Sequence, residues 1–383
     1  MLFKSFNQNK FVYRQFHTSS PRHINPLIWV FLKPALKGIA WVTGRSTRKW
    51  YRQLPPEKQN IFIQHLSRHK YTYMGIFGTL GTALAVHYYT HLEEAPITGR
   101  RRYMMMNLEQ LKYLSQEETE RMAAMYSNQM YTSESKPTQL VAKIAKRLIH
   151  ANMDIPELRT IKWTVRVIDT EMRNAFVLPS GDIYVTRGMM QMMTNEDQLA
   201  VVLAHELSHA ILGHTAEKLS YSQSIDMIAI FGAFIIWSIF PSDWTSFWAN
   251  FIYEGYITFT SRLPYSRYLE DEADEVGLKL AAKACYDIRE SACFWESVDK
   301  ADKEHEIPEF FSTHPASAKR VEHFDRIIPE ALELRVKCKC APLPEKKALG
   351  VLNLPKNPEE KVIQPLEKRA GVLEHVPIIE TTK

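Results

Sequence analysis

Cysteine is scarce in this sequence. Four residues among 383 are cysteines, Cys285, Cys293, Cys338 and Cys340, which is too few for a disulfide scaffold, and their spacing does not match a zinc ribbon. Free thiols are therefore the first expectation. In an oxidising compartment, a disulfide between the Cys285/Cys293 region and the Cys338/Cys340 pair is the alternative.

Acidic residues are absent from the first 56 residues, which contain ten Lys or Arg. The remainder has 38 basic and 43 acidic residues. The net charge of +5 thus comes from the N-terminus, and no surface for nucleic acid is expected. Residues 1–23 combine Arg and Lys with Phe, Leu, Ser and Thr, which is typical of a mitochondrial presequence and predicts a mature start near Ile24. An ordinary basic tail is the alternative.

Residues 24–70 continue the basic N-terminal segment. Their apolar stretch, Leu27 to Val42, is interrupted by Lys33, Pro34 and Lys37. It therefore predicts an amphipathic helix at a membrane surface and not a membrane span.

Formal charge is absent from residues 71–92, which are bracketed by Arg68 and Lys70 and by Glu93 and Glu94. As a helix this stretch is about 33 Å long, enough for a hydrocarbon core of roughly 30 Å, and tyrosines stand at both ends. We predict a transmembrane helix, with a buried helix of a soluble domain as the alternative. Its glycines are too weak a motif to predict a dimer, so a homo-oligomer is left open.

Residues 93–340 alternate helical patterns with one hairpin, and predict an α+β, mostly helical domain. The hairpin lies between Asn174 and Met190, where two β-rich runs flank the turn signature PSGD. Residues 341–383 are rich in proline and weakly periodic, so we expect an extended wrap or a disordered end.

The hairpin leads into a hydrophobic helix that contains LAHELSHAILGH, Leu203 to His214. We expect Thr194 to cap this helix and Gly213 to end it. His205 and His209 are four residues apart on one face, so both imidazoles can reach one zinc ion.

Glu206 lies beside this histidine pair, where it can act as general base on water without binding the metal. The same HExxH pattern arises by chance as three polar residues exposed on a helix. Here apolar residues occur on most sides of the helix, and burial of the three polar groups without partners would cost several kcal/mol. A metal is the natural partner.

A tetrahedral catalytic site needs a third protein ligand. On a continuous helix His214 lies about 180° from His205, so we expect it to pack or to face substrate and not to join the ion. Residues Ser266 to Ala284 predict a later helix, with Glu270 and Asp274 together on one face. Glu270 can bind zinc, and Asp274 can hydrogen-bond the outer nitrogen of a ligand histidine. An acidic surface helix is the alternative.

The HExxH motif followed by SRxxExxAD, here HELSH and SRYLEDEAD, resembles the gluzincin family that includes bacterial heat-shock membrane proteases and CaaX prenyl proteases. A third family element matches the Ser-Thr-His-Pro of residues 312–315 and Arg320. The resemblance covers roughly residues 105–330. It implies a zincin-like metallopeptidase domain with a small β-sheet or hairpin beside the HExxH helix.

The resemblance implies one zinc ion held by His205, His209 and Glu270, with Glu206 as general base. It also implies that Asp274 supports a ligand histidine.

Two further roles follow from the same resemblance. His314 is expected to face the substrate and to steady the oxyanion; a histidine that caps the turn before Pro315 is the alternative. Arg320 is expected to be structural.

An edge strand at Phe176 to Leu178 would pair with an extended substrate backbone.

Residues 227–259 separate the two ligand helices and contain two charged residues, Asp243 and Glu254, among eleven aromatics. The first part, Met227 to Phe240, is too short to cross a bilayer alone as a helix. We predict a re-entrant or interfacial hairpin that contacts the membrane. A buried helical pair in a soluble core is the alternative.

With the presequence and the span, the resemblance implies a membrane-anchored zinc metalloendopeptidase of the mitochondrial inner membrane, with its catalytic domain facing the intermembrane space. It would cleave membrane proteins in quality control and stress-responsive processing. No GxxxxGK loop occurs in the sequence, so ATP is not expected to take part.

Two alternatives stay open. A catalytically silent zinc-containing scaffold or chaperone would not need the retained Glu206. A CaaX prenyl protease would bring more spans than the single good one here.

Overall fold

The computed structural model describes residues 28–106, 108–303, 320–344 and 376–377. The described helices are α1 (Ile28–Gln53), α2 (Pro56–Arg68), α3 (Lys70–Thr90), α4 (Leu108–Met125), α5 (Lys136–Ala151), α6 (Pro156–Thr160), α7 (Arg187–Met192), α8 (Glu196–Leu212), α9 (His214–Ile239), α10 (Asp243–Ile257), α11 (Leu263–Lys283), α12 (Glu290–Lys303) and α13 (Arg320–Lys337). The strands are β1 (Leu92–Glu94), β2 (Arg101–Tyr103), β3 (Thr164–Ile168), β4 (Ala175–Val177), β5 (Asp182–Thr186) and β6 (Val376–Pro377). The mostly helical α+β class is confirmed, whereas the predicted presequence lies outside the described residues.

One four-stranded sheet in the order β4-β5-β3-β6 lies beside the HExxH helix α8. Strands β4 and β5 form the predicted antiparallel hairpin, and its turn uses Gly181 at φ 96°, a conformation that favours glycine. Strand β3 pairs in parallel with β5, and every residue of these two strands is buried. Among the described strands, β4 therefore lies at an open edge of the sheet.

Helix α8 is buried nearly all round, because α5, α11, α12 and β4 pack against it. The predicted cap at Thr194 is wrong by one residue: the Asn195 side chain accepts a hydrogen bond from the Gln198 amide. Asn195 adopts an extended backbone there and satisfies a free amide of the first turn. Gly213 ends the helix at φ 69° as predicted.

Helix α9 begins directly after Gly213 and runs for 26 residues. The predicted 14-residue segment from Met227 is thus the second half of a longer helix, because the polar first half, which begins at His214, continues without a break. Among the residues that the structure describes, α9 is the one helix that is both long and apolar enough to cross a membrane. Helix α3, which contains the predicted span, is long enough but less apolar, so the predicted span is not shown.

Helices α1 and α10 pack against α9, and charged pairs join the three. Lys33 lies 2.8 Å from Asp226, and Lys37 lies 2.6 Å from Glu254. At the other end, Arg48 pairs with Asp243.

Many apolar side chains of α9 and α10 are exposed, including Ile228, Phe231, Trp244, Phe251 and Ile252. The predicted spanning segment, residues 71–92, forms helix α3 and the start of β1, and α3 has no buried residue. Helices α3, α9 and α10 thus expose apolar side chains that no other described element covers.

Two of the four cysteines are joined. Cys285 and Cys340 form a disulfide, which contradicts the first expectation of free thiols for this pair and agrees with the alternative. Cys293 and Cys338 form no disulfide among the described residues. The bridge ties the end of α11 to the segment that follows α13, and the spacing along the chain did not single out this pair.

Candidate metal centre

Three side chains from α8 and α11 converge on one point. His205 Nε2 lies 3.1 Å from His209 Nε2, and it lies 3.4 Å from Glu270 Oε2. His209 Nε2 lies 3.5 Å from Glu270 Oε1. The cluster is enclosed, because His205 and Glu270 are buried and His209 is half-buried.

These spacings fit a zinc ion. Ligand atoms at about 2.05 Å from a tetrahedral ion lie roughly 3.4 Å from one another, and the three contacts span 3.1 to 3.5 Å. Two imidazoles and one carboxylate are also the donor set of a catalytic zinc site with one position left for water. The structure therefore brings together the three residues that the sequence singled out as ligands.

The approach of α11 to α8 depends on Gly277. A Cβ atom at this position would lie 2.9 Å from both the N and the Cα of His205, which is closer than van der Waals contact permits. Glycine thus allows the backbone of α11 to lie against the turn that carries the first histidine. This places Glu270, two turns earlier on α11, beside the imidazole pair.

A buried carboxylate supports His205 from behind. Asp274 Oδ1 lies 2.9 Å from His205 Nδ1, so the carboxylate accepts the outer N–H and leaves Nε2 turned toward the cluster. Burial disfavours the imidazolium, but the contacts with Asp274 and Glu270 outweigh burial and raise the pKa of His205 to about 9. A metal that binds here at neutral pH displaces a proton.

Arg320 compensates the charge of this carboxylate. Its Nε and Nη2 atoms each donate to Asp274 at 2.7 Å, and Nη1 lies 3.3 Å from Glu270 Oε2. The guanidinium also stacks 3.5 Å from the ring centroid of Trp295 on α12. Because Arg320 and Asp274 are both buried, removal of either would leave an uncompensated charge in the core.

Sequence reasoning assigned Arg320 a structural role without finding its partners, and it did not select Trp295. The family element that contains Arg320 was the sequence signal that singled out this arginine. Nothing in the local pattern around Trp295 indicates a contact with an arginine 25 positions later along the chain.

His214 lies close to the cluster, although it does not belong to it. Its Nδ1 atom is 2.9 Å from His209 Nδ1, and its Nε2 atom is 3.1 Å from Glu272 Oε2. The expectation that His214 stands on the far side of the helix assumed an unbroken helix. Gly213 breaks the helix with a left-handed residue, which turns His214 back toward His209.

Glu272 is buried, whereas the alternative of an acidic surface helix would leave it exposed. Burial disfavours its charge, and the hydrogen bonds from His214, Arg100 and Thr98 more than offset this, so the pKa of Glu272 falls to about 2. The acidic helix alternative for residues 266–284 holds only for the outer positions, such as Glu275, which is exposed.

Glu206 is buried on α8 next to His205. His314, the expected substrate-side histidine, lies outside the described residues, as does the rest of the segment 304–319.

The chain is similar to known peptidases. A family model described as peptidase family M48 matches residues 135–328. The chain is 39% identical over 336 residues to the Bos taurus protein named metalloendopeptidase OMA1, mitochondrial, which covers 86% of this chain and 64% of that protein. It is 37% identical over 346 residues to the protein of the same name from Danio rerio, covering 89% of this chain and 72% of that protein.

A more distant relative is the mitochondrial metalloendopeptidase OMA1 of Schizosaccharomyces pombe, at 34% identity over 266 residues, with 69% of this chain and 75% of that protein covered. The chain spans 64% of the length of the Bos taurus and Homo sapiens relatives. The three clustered side chains, Glu206, Asp274 and Arg320 all fall within the residues matched by the family model.

Proposed function

The chain belongs to peptidase family M48, and from that premise we propose that it is a membrane-anchored zinc endopeptidase of mitochondria. The convergence of His205, His209 and Glu270 at tetrahedral ligand spacing is the observation that carries this proposal. These three residues would hold the ion. The word "mitochondrial" in the names of its relatives and the acid-free leader support the location.

When bound, zinc supplies a Lewis acid that polarises the scissile carbonyl and eases deprotonation of water. Glu206 takes the proton from the attacking water and returns it to the leaving nitrogen. Asp274 and Arg320 keep His205 oriented throughout, because their hydrogen bonds fix its ring. His314 would face the substrate and steady the oxyanion.

The open edge of β4 is the proposed place for substrate. Leu178 N donates to Asp182 O, and Thr186 N donates to Asn174 O. In an antiparallel pair the alternate residues turn their amides outward, so Val177 presents its N–H at the free edge. An extended backbone that pairs there is bound without a strong sequence preference, because main-chain hydrogen bonds supply the affinity.

The proposal is tested by Glu206→Gln in the full chain, assayed on a membrane-protein substrate with and without a zinc chelator. We expect the variant to keep its zinc content and to lose turnover by a factor of about 10² to 10⁴, because general base catalysis is removed. The zinc chelator should abolish substrate cleavage by the wild-type protein. Proteolysis that persists in the variant would remove Glu206 from its role, and a wild-type protein that binds zinc without cleaving anything would favour the scaffold alternative.

We further propose that α3 spans the inner membrane, that α9 and α10 enter the same bilayer, and that the peptidase domain faces the intermembrane space. The absence of buried residues in α3 and the exposed aromatic side chains of α10 support this arrangement. Lipid would cover this apolar surface. Membrane proteins would then be the substrates within reach of the metal centre, in quality control and stress-responsive processing.

A photoreactive phenylalanine analogue tests the contact with lipid. Placed at Phe251, which is 62% exposed on α10, it should crosslink to phospholipid when the full chain is in vesicles. The matched control is the same analogue at Val336, which is 77% exposed on α13 and should not crosslink. Crosslinking at Phe251 that is no stronger than at Val336 would contradict the proposed contact of α10 with lipid.

A further inference from the structure

His209 needs a lone pair on Nε2, the atom that lies in the ligand cluster. A neutral imidazole carries its proton on one nitrogen only, so the proton must stay on Nδ1. His205 meets this need through Asp274. The partner of His209 Nδ1 is a second imidazole, His214, at 2.9 Å, and an imidazole can either donate or accept there.

The contact of the other ring nitrogen, Nε2, determines which tautomer His214 adopts. Its Nε2 atom faces Glu272 at 3.1 Å. Glu272 also accepts from Thr98 Oγ1 at 2.6 Å and from Arg100 Nη2 at 2.7 Å. A carboxylate held by a guanidinium and a hydroxyl has only acceptor positions left, so His214 Nε2 must donate to it.

The donors and acceptors then follow in one order. With its proton on Nε2, neutral His214 has a lone pair on Nδ1 and accepts from His209 Nδ1. His209 in turn keeps its Nε2 lone pair directed at the cluster. The reversed order would put a proton on His209 Nε2 and block a metal, and it would require Glu272 to donate.

Arg100 holds Glu272 in place from outside α11. Its Nη1 and Nη2 atoms donate to Glu217 at 2.7 and 2.8 Å, and Glu217 has no exposed surface. The guanidinium thus joins two buried carboxylates, one on α9 and one on α11. Arg100 and Thr98 both belong to the connection between β1 and β2, and β1 is the element that follows helix α3.

We propose that His214 is a positioning residue for the second zinc ligand, and that Glu272 and Arg100 set its hydrogen-bonding direction so that His209 Nε2 stays free for the ion. This rests on the zinc site of the proposed function. The outer series, His209, His214, Glu272 and Arg100, also ties the metal centre to the β1–β2 connection.

The test measures zinc affinity in the detergent-solubilised full chain by competition with a chromophoric chelator. His214→Phe keeps an aromatic ring but removes the acceptor, and we expect it to weaken zinc binding by about 10- to 100-fold, as loss of an outer-shell partner does. His214→Asn places an amide oxygen near the position of Nδ1 and should restore most of the affinity. Turnover at saturating zinc should change less than the affinity in both variants.

Glu272→Gln tests the direction of the series without removing a ring. The amide can donate to His214 Nε2, which permits the blocking order, so we expect zinc affinity to fall by about tenfold or more. The matched control is Glu275→Gln on the same helix, where the exposed carboxylate pairs with Lys279 at 2.7 Å. The control should bind zinc as the wild type does.

The outcomes separate this inference from the proposed function. If wild-type protein binds zinc and cleaves substrate while His214→Phe and Glu272→Gln bind zinc equally well, the positioning role is wrong and the peptidase remains. Equal losses in His214→Phe and His214→Asn would also overturn it, because the acceptor would not matter. A wild-type chain that takes up no zinc would overturn both.

Discussion

Gly277 decides how closely the third ligand approaches the HExxH helix. The residue has no side chain where α11 crosses the backbone of His205, and a methyl group there would need the two helices to separate by some tenths of an ångström. The ligand spacing of 3.1 to 3.5 Å leaves little room for such a shift, since zinc bonds vary by about 0.2 Å. One glycine thus sets both the packing of α11 on α8 and the spacing of the three proposed ligands.

We therefore expect Gly277→Ala to lower the free energy of unfolding by about 1 to 3 kcal/mol through overpacking, and to weaken zinc binding as well. Gly255→Ala on α10 is the control, because a Cβ atom there meets nothing within 4 Å, and alanine favours a helix by up to about 1 kcal/mol. Thermal unfolding and chelator competition measure the two effects. A tight site in the Gly277 variant would show that α11 can adjust.

At the scale of elements, the position of β4 at the sheet edge matters more than its side chains. Its hairpin was predicted from the turn residues around Gly181, because turn chemistry is local. The pairing of β5 with β3 was not predicted, since a parallel pair joins segments with no short turn between them. That pairing covers one side of β5 and leaves β4 with a free edge.

Val177→Pro removes the outward amide from this edge without breaking the ladder, because proline is tolerated where the N–H faces away from the sheet. We expect kcat/KM on an extended substrate to fall roughly tenfold, the equivalent of one hydrogen bond of about 1.4 kcal/mol. Val177→Ala loses similar packing but keeps the amide, so it should retain most activity. If both variants lose activity alike, packing and not strand pairing explains the effect.

The start of helix α9 was not predicted from the sequence. Residues 227–240 were judged too short to cross a bilayer, yet the helix that contains them starts at His214. Hydropathy shows where residues change from polar to apolar, but it does not show where a helix begins. The polar first half of α9 was therefore not recognised as part of the same helix. The charged pairs Lys33–Asp226 and Lys37–Glu254 likewise join segments far apart in the sequence.

For the whole molecule, acid stability should depend on Asp182, at the start of β5. Burial raises the pKa of this carboxyl, but Arg166 and the hydroxyls of Thr164 and Ser180 outweigh burial and hold the pKa below its ordinary value of 3.8. A group with a depressed folded-state pKa stabilises the protein above its unfolded pKa, and this contribution disappears as the pH falls through the folded value.

Asp182→Asn should therefore lower Tm clearly at about pH 6 and less at about pH 3, where the wild-type protein has begun to lose the same stabilisation. Asp154→Asn serves as control, because that carboxylate is exposed on the surface beside Lys283. Tm measured across this pH range distinguishes the two. A constant difference in Tm for Asp182→Asn would mean that its carboxylate is not selectively stabilised in the folded state.

The sequence by itself determined three elements of the peptidase domain: the HExxH helix, the helix that contains Glu270, and the hairpin that precedes the HExxH helix. These depend on periodicity, caps and turns, which act over a few residues. The location of His314 and most of the tail beyond residue 344 lie outside the described residues, and their roles remain predictions.

Only the tertiary structure decided which partners surround the ligands. Arg320 reaches Asp274 from a separate helix, His214 reaches His209 because the left-handed Gly213 breaks the helix between them, and Cys285 pairs with Cys340 and not with a nearer cysteine. Each of these contacts depends on how whole helices pack against one another. Packing is a property of distances through space, and spacing along the sequence carries little information about it.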